Sequence, residues 1–192
     1  MIRRAEARSS EPVRAVRARF LAAGNPYGCA ESTLLALQAH FGLDDPSDGA
    51  VAMALNGGVA YSGGTCGAIT GAAVALGRLA AERTPDRRRA KRIARELTAR
   101  VIAEFEAAFG ATDCRTLTGV DLRAPGGHEA FIAAGAWRVD CFRRLELVIE
   151  RVAPLADREA WADAAGAAAD GAWAAADTAA EHGQPKGGPT RR

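Results

Sequence analysis

The chain has 192 residues, the length of one domain. Its 25 Lys plus Arg nearly cancel its 23 Asp plus Glu, and a net charge of +2 excludes a strongly electrostatic protein, so neither nucleic acid nor a membrane surface is expected as a partner. Alanine contributes 46 residues and aromatics only 6%, so the core has to be built from small side chains in close helix contact.

The elements read as helices almost throughout. Ser9-Ser10-Glu11-Pro12 is a helix start, Val13, Val16 and Phe20 recur at helical spacing, and Gly24 stops the run. A second helix begins near Asn25-Pro26-Tyr27-Gly28, carries Ala30, Leu34, Leu37 and Phe41 on one face, and ends at Gly42. Asp45-Pro46 opens a short Ala-rich helix reaching Leu55. The glycine-dense stretch 56–64 follows and is expected to be a loop folded over something.

Thr65 is placed to cap a fourth helix bearing Ile69, Ala72, Leu76 and Ala80. Thr84-Pro85-Asp86 starts a fifth, with Ile93, Leu97, Val101, Phe105 and Phe109 four residues apart, and Gly110 ends it. Thr112-Asp113 caps a short turn, residues 118–127 are loop, and residues 128–135 form a helical turn. The last core helix shows Trp137, Cys141, Leu145, Val148 and Val152 on one face before Pro154. No run alternates with a period of two, so no strand is expected.

These elements imply an all-α, single-domain helical bundle with a Gly-rich loop before its fourth helix. Residues 1–9 are a flexible segment, 10–156 the domain, and 157–192 an Ala-rich extension and disordered tail in which Trp161 and Trp173 are the large anchors. The longest apolar runs, 50–55 and 72–76, are far too short to span a bilayer. The N-terminal residues carry charge with no apolar stretch behind them, so no export signal is read and a cytoplasmic location is expected.

In a reducing compartment, cysteine signals inert filler, a metal ligand or redox chemistry. Cys29, Cys66, Cys114 and Cys141 are 37, 48 and 27 positions apart, with no CxxC pair, so only the tertiary fold can bring them together. Cys29, Cys66 and Cys114 fall at expected helix N-termini, where free N–H groups and the positive dipole end favour a thiolate or an anionic metal–thiolate centre. Asp113 works against Cys114 in that respect. Cys141 differs: it faces inward from the last core helix, either to complete the site or as a small buried hydrophobe. Cys66 lies between glycines, in Gly63-Gly64-Thr65-Cys66-Gly67, where backbone N–H groups approach sulfur closely. Gly64 and Gly67 are therefore the backbone positions expected to cradle a bound group. Gly71, within the same helix, costs on the order of 1 kcal/mol relative to Ala, a cost that close approach of a helix or a ligand would offset.

The hexapeptide Cys66-Gly67-Ala68-Ile69-Thr70-Gly71 fits CGAxxG. With Cys29 in YGCAEST, Cys114 in CRTLTG and Cys141 in RVDCF, residues 13–152 resemble the C_GCAxxG_C_C family of small redox-active proteins. The resemblance implies a helical fold and four functional cysteines that hold an iron–sulfur or other metal centre or cycle between thiol and disulfide. It also implies a role beside an oxidoreductase or transport system.

His128, after the Gly-rich loop, is the one histidine kept as a further ligand or proton carrier; His40 ends a helix and His182 lies in the tail. The Arg-rich stretch 83–100 lacks interleaved aromatics and reads as a solvated or partner-facing helix surface. Tyr61 and Thr70 are near enough in sequence to donate hydrogen bonds around Cys66.

Three functions are therefore weighed. In the first, Cys29, Cys66, Cys114 and Cys141 hold an iron–sulfur cluster, in its simplest form [2Fe–2S], or else zinc, for electron transfer or redox sensing. In the second, no metal is bound and Cys66 is the attacking thiol of a disulfide cycle. In the third, the protein is a structural or adaptor bundle with inert thiols. The expected partner is a redox protein or a small-molecule oxidant or reductant, and a homo-oligomer is allowed.

Overall fold

The computed structural model describes residues 10–43 and 48–169. Expectations for residues 1–9, for the Asp45-Pro46 start, and for the tail with Trp173 and His182 lie outside the described residues.

Helix α1 (Glu11–Phe20) places Pro12 in its first turn, where the missing N–H is not needed, and buries Val13, Val16 and Phe20. Helix α2 (Cys29–Phe41) ends at Gly42, whose φ of 69° lets its N–H return to Ala39 while Leu43 bonds Gln38. Ala30, Leu34 and Leu37 on α2 are fully buried. The Ala-rich stretch Asp48–Leu55 winds as 3-10 turns instead of the expected α-helix. It buries Ala52 but leaves Val51 and Met53 exposed, so it has no broad apolar stripe to hold an α-helix against the core.

Helix α3 (Gly67–Arg83) follows the glycine-rich loop. Helix α4 (Arg87–Phe109) is capped by Asp86, whose carboxylate accepts from the Arg88 and Arg89 N–H groups, and it buries Ile93, Leu97, Val101 and Phe105. The short α5 (Cys114–Thr118) and α6 (Gly127–Ala134) lead to a 3-10 turn, Ala136–Arg138, and then to α7 (Asp140–Val152). The expected last helix is thus broken near Val139. A further 3-10 turn (Ala153–Ala156) joins α7 to α8 (Arg158–Ala169).

Helices α2 and α3 form the centre. α1 packs on α2, α4 on α3, and α7 lies across α1, α2, α3 and α4. The buried residues of these helices make one continuous core, and no strand occurs among the described residues beyond a single bridge between Thr65 and Asp113. The fold is the all-α single domain expected. The Ala-rich extension starts as α8, packed on α4 with Trp161, Ala165 and Ala168 buried. The Arg83 guanidinium lies 5.5 Å from the Trp161 ring and donates to the carbonyls of Leu155 and Ala156 at 2.8 and 2.7 Å. One cation therefore fixes the turn that leads into α8.

Small residues set the distance between the two central helices. A Cβ on Gly71 would sit 2.3 Å from the Ala30 carbonyl oxygen, and one on Gly67 would sit 2.3 Å from the Cys29 sulfur. Gly77, two turns along α3, has nothing within 4 Å of such an atom. Helix propensity alone favours Ala by about 1 kcal/mol at both sites. At Gly71 the obstacle is backbone, which cannot rotate away, and overpacking costs about 1–3 kcal/mol or more. Gly77→Ala is therefore expected to raise the urea midpoint and Gly71→Ala to lower it. Equal shifts in the two would remove close approach as the reason for Gly71.

Candidate functional site

Each cysteine is positioned by a distinct local device. Before α2, the Asn25 side chain closes a turn: its Oδ1 accepts from the Tyr27 N–H at 2.9 Å, and its Nδ2 donates to the Phe20 and Tyr27 carbonyls. Gly28 then begins α2, its N–H donating to Glu31 Oε2 at 2.9 Å, and Cys29 is the first helical residue. Asn56 ties this end to the glycine-rich loop. Its Oδ1 accepts from the Ala30 N–H at 2.9 Å and lies 3.9 Å from Cys29 Sγ. Its Nδ2 donates to Glu31 Oε2 at 2.7 Å. Neither Asn56 nor Glu31 was singled out above. The available signal was a Glu three residues after Gly28, the spacing of a reciprocal helix cap.

Cys66 and Cys114 are brought together by backbone. The Cys66 N–H donates to Thr112 at 2.8 Å, the Cys114 N–H to Gly64 at 2.7 Å, and the Arg115 N–H to Gly63 at 3.0 Å. Thr65 is not the helix cap expected of it. It pairs with Asp113, and Cys66 itself occupies the cap position of α3. Gly64 thus serves the site by holding Cys114, and Gly67 by leaving room for the Cys29 sulfur. Asp113 caps α5 by accepting from the Thr116 N–H at 2.8 Å, and that bond holds its carboxyl below the usual range.

Cys141 was expected to face inward from the last core helix, with Trp137 one turn before it on the same face. Because the helix breaks near Val139, it lies in the first turn of α7, so all four cysteines sit at helix starts. Arg144, one turn on and buried, donates to the Leu117 carbonyl at 2.6 Å and reaches Cys141 Sγ at 3.7 Å. Its charge acts on both Cys114 and Cys141, and the sequence reading missed it.

The glycine-rich loop closes over these groups in an unusual way. Gly57, Gly58, Val59, Ala60 and Tyr61 all have positive φ, between 50° and 75°, which makes one left-handed turn. Left-handed backbone costs a non-glycine residue roughly 1–2 kcal/mol, and a branched residue such as Val59 more. The turn is held by Gly63 and Gly64 N–H bonds to Gly57 and Gly58 at 3.1 and 3.0 Å. The Arg123 guanidinium also donates twice to the Ala60 carbonyl, at 3.1 and 3.0 Å.

Cys29, Cys114 and Cys141 open into one cavity of about 330 Å³. Its walls include Phe20, Tyr27, Phe131 and Trp137, and among the described residues none that is acidic lines it. His128 is at this cavity, its ring 4.8 Å from that of Tyr61. Cys66 is buried and does not line the cavity. Thr70 donates to the Gly67 carbonyl at 3.3 Å. His40 is taken up by Ala153 and Glu11.

All four cysteines are free thiols. Burial is the main cause of their raised pKa values, and each is also exposed to the field of at least one other sulfur or to opposing backbone N–H groups. Cys114 is pushed up to about 11 and Cys141 to about 12, in both cases by burial and by Cys29, with Arg144 pulling back down. Cys66 is raised further by burial and by Cys29. Cys29 is raised by burial against the pull of the Gly57, Ala30 and Gly67 backbone N–H groups. Among the described residues, no three His, Cys, Asp or Glu side chains stand close enough together to hold a metal ion. Sulfur is the donor type that both zinc and iron take.

A small all-α domain with four thiols at helix starts, three of them opening into one aromatic cavity, is a narrow class. The family described as "Putative redox-active protein (C_GCAxxG_C_C)" matches residues 27–153, more than half of the chain. The chain belongs to that family. No curated protein and no solved structure matches it. Among the described residues no helix is long and apolar enough to cross a membrane.

The raised thiol pKa values have a consequence for stability. In the unfolded chain the thiols ionise near their ordinary value of 9.0, while the folded thiols hold their protons to about 11 and 12. The stabilisation is complete below pH 9 and is lost as the pH climbs through the folded values. Under reducing conditions the urea midpoint is expected to fall between about pH 9 and about pH 12, and replacing all four cysteines with Ser should flatten that fall. An equal fall in the Ser variant would assign it to other groups.

Proposed function

We propose that this chain is a thiol redox protein in which two of the cavity thiols cycle between dithiol and disulfide. Each turnover forms one S–S bond, breaks two S–H bonds and releases two protons and two electrons. A redox partner protein or a small-molecule oxidant takes the electrons. The observation that carries this reading is the convergence of Cys29, Cys114 and Cys141 on one cavity from three separate helix starts. An apolar site that disfavours thiolates suits a couple whose reduced and oxidised forms are both neutral.

Attack needs a transient thiolate, and that role falls to Cys114. It lines the cavity, its pKa is raised less than those of Cys66 and Cys141, and Arg144 lowers its cost of ionising. Cys66, given the attacking role from its motif, is buried away from the cavity; its place is to support the bridge that holds Cys114.

An iron–sulfur cluster is the second reading. It is favoured by four sulfurs at helix starts and by the backbone N–H groups around Cys29, both of which stabilise an anionic thiolate centre. Such a cluster divides its sulfurs among several irons, so it does not require three donors around one ion. When bound, it supplies one-electron transfer. Cys29, Cys66, Cys114 and Cys141 are the residues that would hold it.

One preparation separates the readings. Anaerobically purified protein should be colourless and free of iron, and its free thiols should fall from four to two with a mild oxidant and return with a reductant. Cys114→Ser should slow that loss on the order of tenfold, with Cys66→Ser much nearer wild type. Stoichiometric iron with visible absorbance would replace the thiol cycle with the cluster. Four unreactive thiols without metal would leave only a structural bundle.

A further inference from the structure

The cavity over the three thiols has features that the thiol cycle does not need. It is large enough for a ligand, at the lower end of the range for small-molecule sites. Its walls are aromatic, with Phe20 and Trp137 edge-to-face at 5.3 Å. Tyr27, Tyr61 and Ile132 stand around it with 38%, 41% and 46% of their surface exposed, an apolar rim of the kind that marks a ligand-binding groove. The strained left-handed turn contributes Gly57 and Tyr61 to one wall. Strain of this kind is retained where a ligand is clamped.

The polar groups narrow the ligand. Among the described residues none that is acidic lines the cavity, so they offer a cation no counter-charge. Among the same residues Arg138 is the only formal cation in the lining, is exposed, and already rests over the Trp137 ring at 4.5 Å. That leaves little for an anion. What remains are hydrogen-bond donors among aromatic faces: the tyrosine hydroxyls, the His128 ring and the Arg138 guanidinium. They suit a neutral, flat ring system of one or two fused rings bearing carbonyl acceptors.

We infer that this cavity binds a small quinone-class ring as the electron acceptor for the thiols beneath it. The inference rests on the thiol reading above for its chemistry and on the cavity alone for its binding. Two thiols give up their hydrogens and form an S–S bond. The two carbonyl oxygens of the ring each take one hydrogen, and the quinone leaves as the hydroquinone. Two electrons and two protons pass from sulfur to the ring, and no other reactant is required.

The probe is tetramethyl-1,4-benzoquinone, whose filled ring positions suppress direct addition by thiols. Equilibrium dialysis against the full chain with all four cysteines changed to Ser measures binding without redox. Saturable binding of one equivalent is expected. Ile132→Glu, a surface change at the cavity, should weaken it by about tenfold or more by placing a carboxylate among the apolar walls. Val139→Glu, at a residue 62% exposed and outside the lining, should leave it unchanged. No saturable binding, or equal loss in both Glu variants, overturns the inference. In wild type the same probe should yield one hydroquinone for each pair of thiols lost. Binding by the Ser variant with no hydroquinone from wild type would uphold the binding site and overturn the thiol cycle.

Discussion

The contact between the backbones of α2 and α3 is the constraint on which the site depends. Gly71 admits the Ala30 carbonyl and Gly67 admits the Cys29 sulfur at separations that no Cβ would allow. Ala68, Ala72 and Ala75 keep the rest of α3 narrow, and all three are fully buried. The low aromatic content has its explanation here. The centre of the bundle is made by helices that nearly touch, and the larger rings are spent on the cavity rim and on the outer helices. A helix pair this close carries its cysteines with it: Cys29 at the start of α2 and Cys66 at the start of α3 become neighbours because their helices are.

The other two thiols arrive by different means. Cys114 is fixed by a backbone ladder to Gly63 and Gly64, and Cys141 by the break that starts α7 afresh. Both answer to Arg144, which couples α7 to the α5 end through the Leu117 carbonyl. The left-handed turn then closes the cavity. Its strain is tolerated because Arg123, Asn56 and the returning N–H groups of Gly63 and Gly64 fix the turn from several directions at once. Gly58 lies where any Cβ would meet Gly64 backbone, so the loop has little freedom to relax in place.

Much of the bundle was legible in the sequence because it obeys local rules. Val13, Val16 and Phe20, or Ile93 through Phe105, repeat at the helical period and are buried as that period demands. The terminating glycines Gly42 and Gly110 adopt the left-handed φ that their positions require. The misreadings share a cause, which is that tertiary pairing outvoted local preference. Thr65 is a good cap by type, but its backbone is engaged by Asp113. The face Trp137, Cys141, Leu145 is a helical stripe, but Gly135 and the 3-10 turn interrupt it before α7 begins. The left-handed run at Val59, Ala60 and Tyr61 had no signal at all, since those residues disfavour it individually. The four cysteines were legible as candidates from their motif. Asn56, Glu31 and Arg144 were not, because their importance comes from partners 25 to 27 residues away.

Two opposing electrostatic effects meet at the thiols, and their balance shapes what the site can do. Helix starts and Arg144 favour negative sulfur, as the N-terminal positions of the cysteines suggested. Burial and the mutual repulsion of the sulfurs oppose it. The raised values at Cys114 and Cys141 follow from burial as the larger of the two effects. A helix dipole acts over its first turn and is worth about 0.3–1 kcal/mol at an exposed end, whereas taking a charge out of water costs several kcal/mol. The dipoles therefore do not ionise these thiols at neutral pH. In the proposed thiol cycle they would lower the cost of the brief ionisation that bond exchange requires, most of all where Arg144 adds its charge and the cavity reaches the sulfur. On that proposal the reactive end of the site is at Cys114 and Cys141 on the cavity side, and Cys66, deep in the α3 start, holds the framework that presents them.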